Sequence, residues 1–170
     1  MRIAISGKSG CGNTTVSKML AERLEITWIN YTFRMMAEDK GLEFSELRRR
    51  AELDDAYDRE LDNHQVELAR QGDCVLGSRL AIWMLKEADL KVFLDGSEEV
   101  RASRINRREG GDSEAKLIET RERDSADSAR YKRIYGIDNH DTSVADLVID
   151  TEDHTPQEIV SLIIEEITRL

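Results

Sequence analysis

The first fifteen residues restrict the fold more than any other stretch of the chain. Arg2-Ile3-Ala4-Ile5-Ser6 is a short apolar run that reads as a buried strand. It leads into Gly7-Lys8-Ser9-Gly10-Cys11-Gly12-Asn13-Thr14, and a helical pattern follows in which Val16, Met19, Leu20 and Leu24 recur at helical spacing. Strand, glycine turn and amphipathic helix in this order match the phosphate-cradling pattern G-x-x-x-x-G-K-[ST]. Both glycines and the threonine are present, and Asn13 stands where the pattern has lysine. A loop that turns successive N–H groups toward one anion needs backbone angles that glycine adopts at least cost. The helix behind it adds unpaired amides and the positive end of its dipole. The chain is therefore expected to hold a phosphate group here, with the Thr14 hydroxyl available to Mg²⁺. The bland alternative is a glycine-rich turn that binds nothing.

Later strands are expected at Cys74-Val75-Leu76, Leu90-Lys91-Val92-Phe93-Leu94 and Leu147-Val148-Ile149, with a weaker one through Ile26-Thr27-Trp28-Ile29. These are short apolar runs, as parallel strands buried on both faces require. Ser97 before Glu98 and Glu99 reads as a helix cap with acids in the first turn. Thr155-Pro156-Gln157-Glu158 reads as a capping box, with Val160, Ile163, Ile164 and Ile167 forming the inner stripe of a closing helix. Strands alternating with helices predict an α/β fold, a parallel sheet covered on both sides. At 170 residues the chain is expected to be one domain, 1–170. Two helical stretches exceed the minimal sandwich: 31–71, and the arginine-dense 101–137.

A net charge of −10 argues against nucleic acid or an anionic membrane as partner. It also means that an anionic substrate must be drawn in by a local basic patch. No apolar run reaches spanning length, and no signal-peptide pattern is evident. Cys11 and Cys74 form neither a disulfide framework nor a metal spacing, which suggests a reducing, cytoplasmic setting. Cys11 reads as a small residue that fits the loop, the alternative being a redox-sensitive thiol.

The arginines are the remaining signal, because the guanidinium fork matches phosphate oxygens and stays charged. Arg79 follows the strand at Val75-Leu76 at its carboxyl end, where open parallel sheets bind ligands. Arg34 opens the first helical stretch. Arg101, Arg104 and Arg108 share one helical face, as do Arg123, Asp127 and Arg130. The alternatives are a surface arginine at Arg79, a solvated helix residue at Arg34, and intrahelical ion pairs for the two faces.

These residues together resemble the cytidylate kinase family, in the short form typical of archaea and some bacteria. The likeness covers nearly the whole chain. It rests on the N-terminal loop; on Asp58-Arg59-Glu60-Leu61-Asp62 with Gln65, Leu68 and Ala69; on Ser78-Arg79-Leu80-Ala81 with Trp83-Met84; on Ala88-Asp89-Leu90-Lys91-Val92; and on Arg130-Tyr131-Lys132-Arg133-Ile134-Tyr135-Gly136-Ile137-Asp138. The resemblance implies a P-loop three-layer sandwich with a five-stranded parallel sheet, a helical monophosphate-binding insertion (31–71) and a helical lid with acceptor-binding helices (101–137). It implies transfer of the γ-phosphoryl group of ATP to CMP or dCMP with Mg²⁺.

Under that resemblance Gly7, Lys8, Ser9, Gly10, Cys11, Gly12, Asn13, Thr14 and Thr15 bind ATP. Arg34, Arg79, Arg123, Asp127 and Arg130 bind the acceptor, and Arg79, Arg104 and Arg108 act on the transferring group. A monomer is expected, since this fold carries its catalytic parts in one chain. The chain departs from the family pattern in three places. Asn13 replaces the loop lysine of bacterial relatives, for which Lys8 or the lid arginines are candidate substitutes. Gly77 replaces an acid two residues before Arg79, and Ile29-Asn30-Tyr31 stands where relatives place a serine that contacts the base. The other readings are a nucleotide-binding regulator without turnover and a kinase for AMP, UMP or shikimate.

Overall fold

The computed structural model describes residues 1–170. Five parallel strands form one sheet in the order β2-β3-β1-β4-β5: β1 (Arg2–Gly7), β2 (Thr27–Ile29), β3 (Cys74–Gly77), β4 (Leu90–Asp95) and β5 (Leu147–Asp150). All five coincide with the apolar runs of the sequence. Helix α1 (Asn13–Leu24) joins β1 to β2, and α2 (Phe33–Asp39), α3 (Phe44–Leu53) and α4 (Ala56–Arg70) lie between β2 and β3. The short α5 (Ala81–Met84) precedes β4. Helices α6 (Glu98–Glu109) and α7 (Ser113–Tyr135) lie between β4 and β5, and α8 (Pro156–Ile167) closes the chain.

The period-two alternation of strand side chains divides the interior into two cores. Ile3 and Ile5 of β1 point to the face covered by α1 and α8, where Val16, Leu20, Ile159, Val160 and Ile163 complete the packing. Ala4 points to the other face, covered by α4 and α5 through Val66, Ala69, Ala81 and Ile82. The C-terminal half of α4 therefore belongs to the central core, although it falls within 31–71. A third, small core of Met36, Ala37 and Leu47 holds α2 to α3, with Phe33, Phe44, Tyr57 and Leu61 around it.

The capping signals act as the sequence suggests. The Ser97 hydroxyl accepts from the Val100 amide, and Thr155 and Glu158 form a reciprocal capping box with Pro156 at the first helical position. Helix α1 is different. Its N-cap is Gly12 at φ 87°, no side chain caps it, and no acid occupies its first turn. Ser6 is fully buried, and its hydroxyl links the end of β1 to the next crossover: it donates to Ser78 O at 3.0 Å and accepts from the Ile82 amide at 3.1 Å. The carboxyl ends of β1 and β3 are thus fixed to each other at the mouth of the sheet.

Candidate functional site

The loop from Gly7 to Gly12 is shaped by close contacts. A Cβ on Gly7 would come within 2.7 Å of Leu94 O, and one on Gly10 within 2.7 Å of Arg101 O. Gly10 and Gly12 both adopt φ 87°, a left-handed conformation that favours glycine. The amides of Gly10, Gly12, Asn13, Thr14 and Thr15 have no acceptor in the protein, while Cys11 N donates to Lys8 O and Val16 N to Gly12 O. These free N–H groups and the uncapped start of α1 converge on one spot, which is the electrostatics of an anion site.

Asn13 does not imitate a lysine. Its Nδ2 donates to Ile5 O and to Ser78 O, both at 3.1 Å, so it ties the loop to the ends of β1 and β3. Its Oδ1 is buried without a partner. Gly77 faces it: a Cβ there would lie 2.3 Å from Ser17 Oγ and 3.1 Å from Asn13 Oδ1. No acid fits at position 77 beside this asparagine and serine. Burial pushes the Cys11 thiol up to about 11, so it stays protonated and acts as a small packed residue.

A cavity of about 890 Å³ opens above the loop along the carboxyl ends of the strands. Seven cationic side chains (Lys8, Arg48, Arg79, Arg104, Arg108, Arg123 and Arg130) share its wall with three carboxylates (Glu52, Asp58 and Asp62). The local balance is positive in a chain whose formal net charge is −10. The three acids all come from α3 and α4, so the cavity has a cationic centre and an acidic far end. The near end, beyond the loop, is formed by Arg104, Ile105, Thr151, His154, Pro156 and Ile159.

The expected arginines take distinct places. Arg79 lines the cavity and forms an ion pair with Asp127, whose other oxygen accepts from Arg130 Nη2 at 3.2 Å. Asp127 therefore bridges two arginines from different elements and does not itself line this cavity. Arg123 reaches back to the loop, donating to Ser9 Oγ at 3.3 Å, which puts it on the loop side of the cavity. Arg108 is exposed in the wall and paired with Glu109.

Three of the expected residues are held by other partners in this structure. Arg34 is absent from the cavity wall: it is exposed, and its guanidinium lies 4.5 Å from the Phe44 ring centroid. This cation–π stack holds it there. Arg48, one turn along α3 from Phe44, supplies the cation on the inner side. Arg104 is also committed elsewhere. It donates to Thr151 Oγ1 at 2.8 Å, to Thr151 O at 2.5 Å and to Gly10 O at 3.4 Å. These bonds fasten α6 to the loop and to the β5–α8 turn at the near end of the cavity. Lys8, too, does not fold back across the loop; its Nζ lies 3.3 Å from His140 Nδ1.

Arg101, noted only as part of a helical face, is 3% exposed and supports the loop from beneath. It donates to Gly96 O, to Ser9 O and to Asp124. Arg48 and Asp58 are the other residues missed as site residues. Arg48 has no local signal beyond its charge, whereas Asp58 opens one of the segments that carry the family resemblance; the α2–α4 packing brings both to the wall. No group of three or more His, Cys, Asp or Glu side chains gathers as a metal cage. A magnesium ion carried by a polyphosphate needs less, since it keeps several waters and takes few protein oxygens. The Thr14 hydroxyl, exposed in the cavity wall at the first turn of α1, fits that role.

An all-parallel sheet with a glycine loop feeding an uncapped helix, under a cationic cleft, defines a P-loop kinase fold. A solved shikimate kinase from Bacteroides thetaiotaomicron shares that fold, with a TM-score of 0.64 at 17% identity over 100% of this chain and 99% of that one. The sequence profile described as the cytidylate kinase-like family matches residues 2–153. Cytidylate kinase 2 of Borreliella afzelii (strain PKo) is 47% identical over 173 residues, covering 99% of this chain and 97% of the relative. The cytidylate kinase of Pyrococcus horikoshii is 40% identical over 163 residues, covering 95% and 85%. The chain belongs to the cytidylate kinase-like family.

Proposed function

We propose that the protein transfers the γ-phosphoryl group of ATP to CMP or dCMP. The observation that carries this reading is the cavity of about 890 Å³, with free loop amides at one side, a cluster of arginines, and an extension lined by α2, α3 and α4 that would take a second nucleotide. Phosphoryl transfer asks mainly for alignment and for stabilisation of charge on the equatorial oxygens. The free amides of Gly10, Gly12, Asn13, Thr14 and Thr15 hold the donor's β-phosphate, and Arg123 and Lys8 flank the loop. The Thr14 hydroxyl would hold Mg²⁺ on the protein side, and the ion would supply charge neutralisation on the polyphosphate. Arg104 borders the base end of the donor site.

Arg79 and Arg130, kept apart and oriented by Asp127, hold the acceptor phosphate in line. Arg48 adds a third cation, and Arg34 joins them when α2 and α3 fold inward. Arg108, exposed in the cavity wall, closes over the transferring group from α6. Residues 31–71 then act as the monophosphate-binding part and 101–137 as the lid, whose closure excludes water. All of these parts lie in one chain, which supports a monomer. Two buried free cysteines fit a reducing cytoplasmic setting.

Coupled ADP release with CMP, dCMP, UMP, AMP and shikimate tests the reading. Signal with CMP or dCMP well above the rest is expected; no signal with any acceptor would leave only a nucleotide-binding regulator. In the same assay Arg79→Ala lowers kcat by about a hundredfold or more while ATP affinity changes little. Wild-type turnover in that variant would remove Arg79 from the phosphate site.

A further inference from the structure

With Asn13 at the lysine position of the pattern, no ammonium stands at the start of α1, and a cation for the transferring group must come from elsewhere in the wall. Four of the seven cations there are balanced by carboxylates: Arg79 and Arg130 by Asp127, Arg108 by Glu109 and Arg123 by Glu119. Arg104 is bound to Thr151 and to Gly10 O. Arg48 belongs to α3, outside the loop. Lys8 remains. It follows β1 directly, and its side chain meets a ring nitrogen rather than a carboxylate, His140 Nδ1 at 3.3 Å.

The contacts behind that ring decide which nitrogen carries its hydrogen. Ser128 Oγ has one proton and gives it to Asn139 Oδ1 at 2.7 Å. Toward His140 Nε2, 3.3 Å away, the same oxygen can only accept, so Nε2 holds the ring hydrogen. Nδ1 is then a bare lone pair, and it faces the Lys8 ammonium. The His140 amide donates to Asp138 Oδ1 at 3.0 Å and its neighbour Asn139 is buried, so the ring sits on a fixed turn. An ammonium has three N–H donors, and His140 takes one of them. Lys8 lines the main cavity together with the loop, and a small second pocket together with Arg79, Asp124 and Asp127. Those two carboxylates are already held by Arg101, Arg79 and Arg130. Lys8 therefore stands between the free amides and the arginine pair with donors to give to a ligand.

We propose that Lys8 supplies the cation that position 13 lacks: held from the side by neutral His140, its ammonium donates to the transferring phosphoryl group. The proposal rests on the reading of this cavity as a kinase site. As an oxygen of the acceptor's phosphate bonds to the γ-phosphorus, the bond to the β–γ bridging oxygen breaks and ADP leaves with the electron pair. The ammonium keeps its proton and offsets the charge on the oxygens around phosphorus. Lys8 is the catalytic residue in this scheme, and His140 positions it.

Steady-state kinetics with MgATP and CMP test this, with thermal unfolding as the control for folding. Lys8→Met should lower kcat by about a hundredfold or more, with the KM for CMP and the melting temperature little changed. His140→Leu should lower kcat by about tenfold, whereas His140→Asn, whose Oδ1 can accept in place of Nδ1, should recover most of that loss. Wild-type kcat in Lys8→Met overturns the proposal. An effect confined to the KM for MgATP would make Lys8 a donor-binding cation, and one confined to the melting temperature would make it a tie between the loop and the α7–β5 connection; either also overturns it. Should Lys8→Met fail to fold, the exposed His140 decides: equal kcat in His140→Leu and His140→Asn overturns the proposal. Wild-type protein without turnover on CMP or dCMP removes the underlying reading, and the proposal with it.

Discussion

Asn13 sits where a lysine would bring charge to the loop, and it supplies two hydrogen bonds to main-chain carbonyls instead. Gly77 is its counterpart, because the space that an acid would need is filled by Ser17 and Asn13. In the sequence these are two separate departures from a pattern; in the structure they are one local arrangement, a neutral pair in place of a charged one. Gly77→Asp should therefore cost at least about 2 kcal/mol in urea unfolding, through overpacking against Ser17. A wild-type midpoint in that variant would mean that the loop and β3 are less tightly joined than described. The compensation for the missing charge was only partly legible. Arg79 is recognisable because it follows a strand end. The difference between Arg34 and Arg48 is not, because both guanidiniums lie over the Phe44 ring and only the packing of α2 on α3 leaves Arg48 in the cavity wall.

At the level of elements, the sequence signals are strong wherever the cause is local. Strand positions follow from apolar runs, and the starts of α6 and α8 follow from Ser97 and from the Thr155–Glu158 box. Even β2, three residues at the sheet edge, is marked by Thr27, Trp28 and Ile29. Joints between elements are another matter. Arg101 lies in α6, its partner Asp124 in α7, and its acceptor Ser9 O in the loop, so no spacing rule connects them. The pair is buried, with side chains 4% and 13% exposed. Arg101→Met should destabilise the protein by about 3–5 kcal/mol, because it leaves Asp124 as an unpaired buried charge. Arg101→Met with Asp124→Leu should recover much of that loss. A neutral Arg101→Met would show that α6 and α7 are held to the loop by packing alone.

Across the whole molecule, a chain of net charge −10 concentrates cations in one cleft and gathers acids at that cleft's far end. Holding those acids has a pH signature. Burial pushes the Asp62 carboxyl up to about 6 from an ordinary value of 3.8, opposed by the Tyr135 hydroxyl bond. Between those two values the folded protein binds the proton more tightly than the unfolded chain, so this group's contribution to stability falls as pH rises through that window and is lowest above it. Asp62→Asn removes the buried charge. Its melting temperature should exceed that of the wild type at pH 8, with the gap shrinking as pH falls through 6. A gap independent of pH would show that Asp62 is not the titrating group.

In the proposed function the free main-chain amides of Gly10, Gly12, Asn13, Thr14 and Thr15, with arginines at a distance, grip a nucleotide polyphosphate without a lysine at position 13. Calorimetric titration of the wild-type protein with MgATP measures this most directly. The account predicts saturable uptake at a single site, and a melting point that rises with nucleotide as mass action requires, by about 2.7 kcal/mol of stabilisation at a hundred times Kd. Absence of both heat and thermal stabilisation at millimolar MgATP, in folded protein, would contradict it.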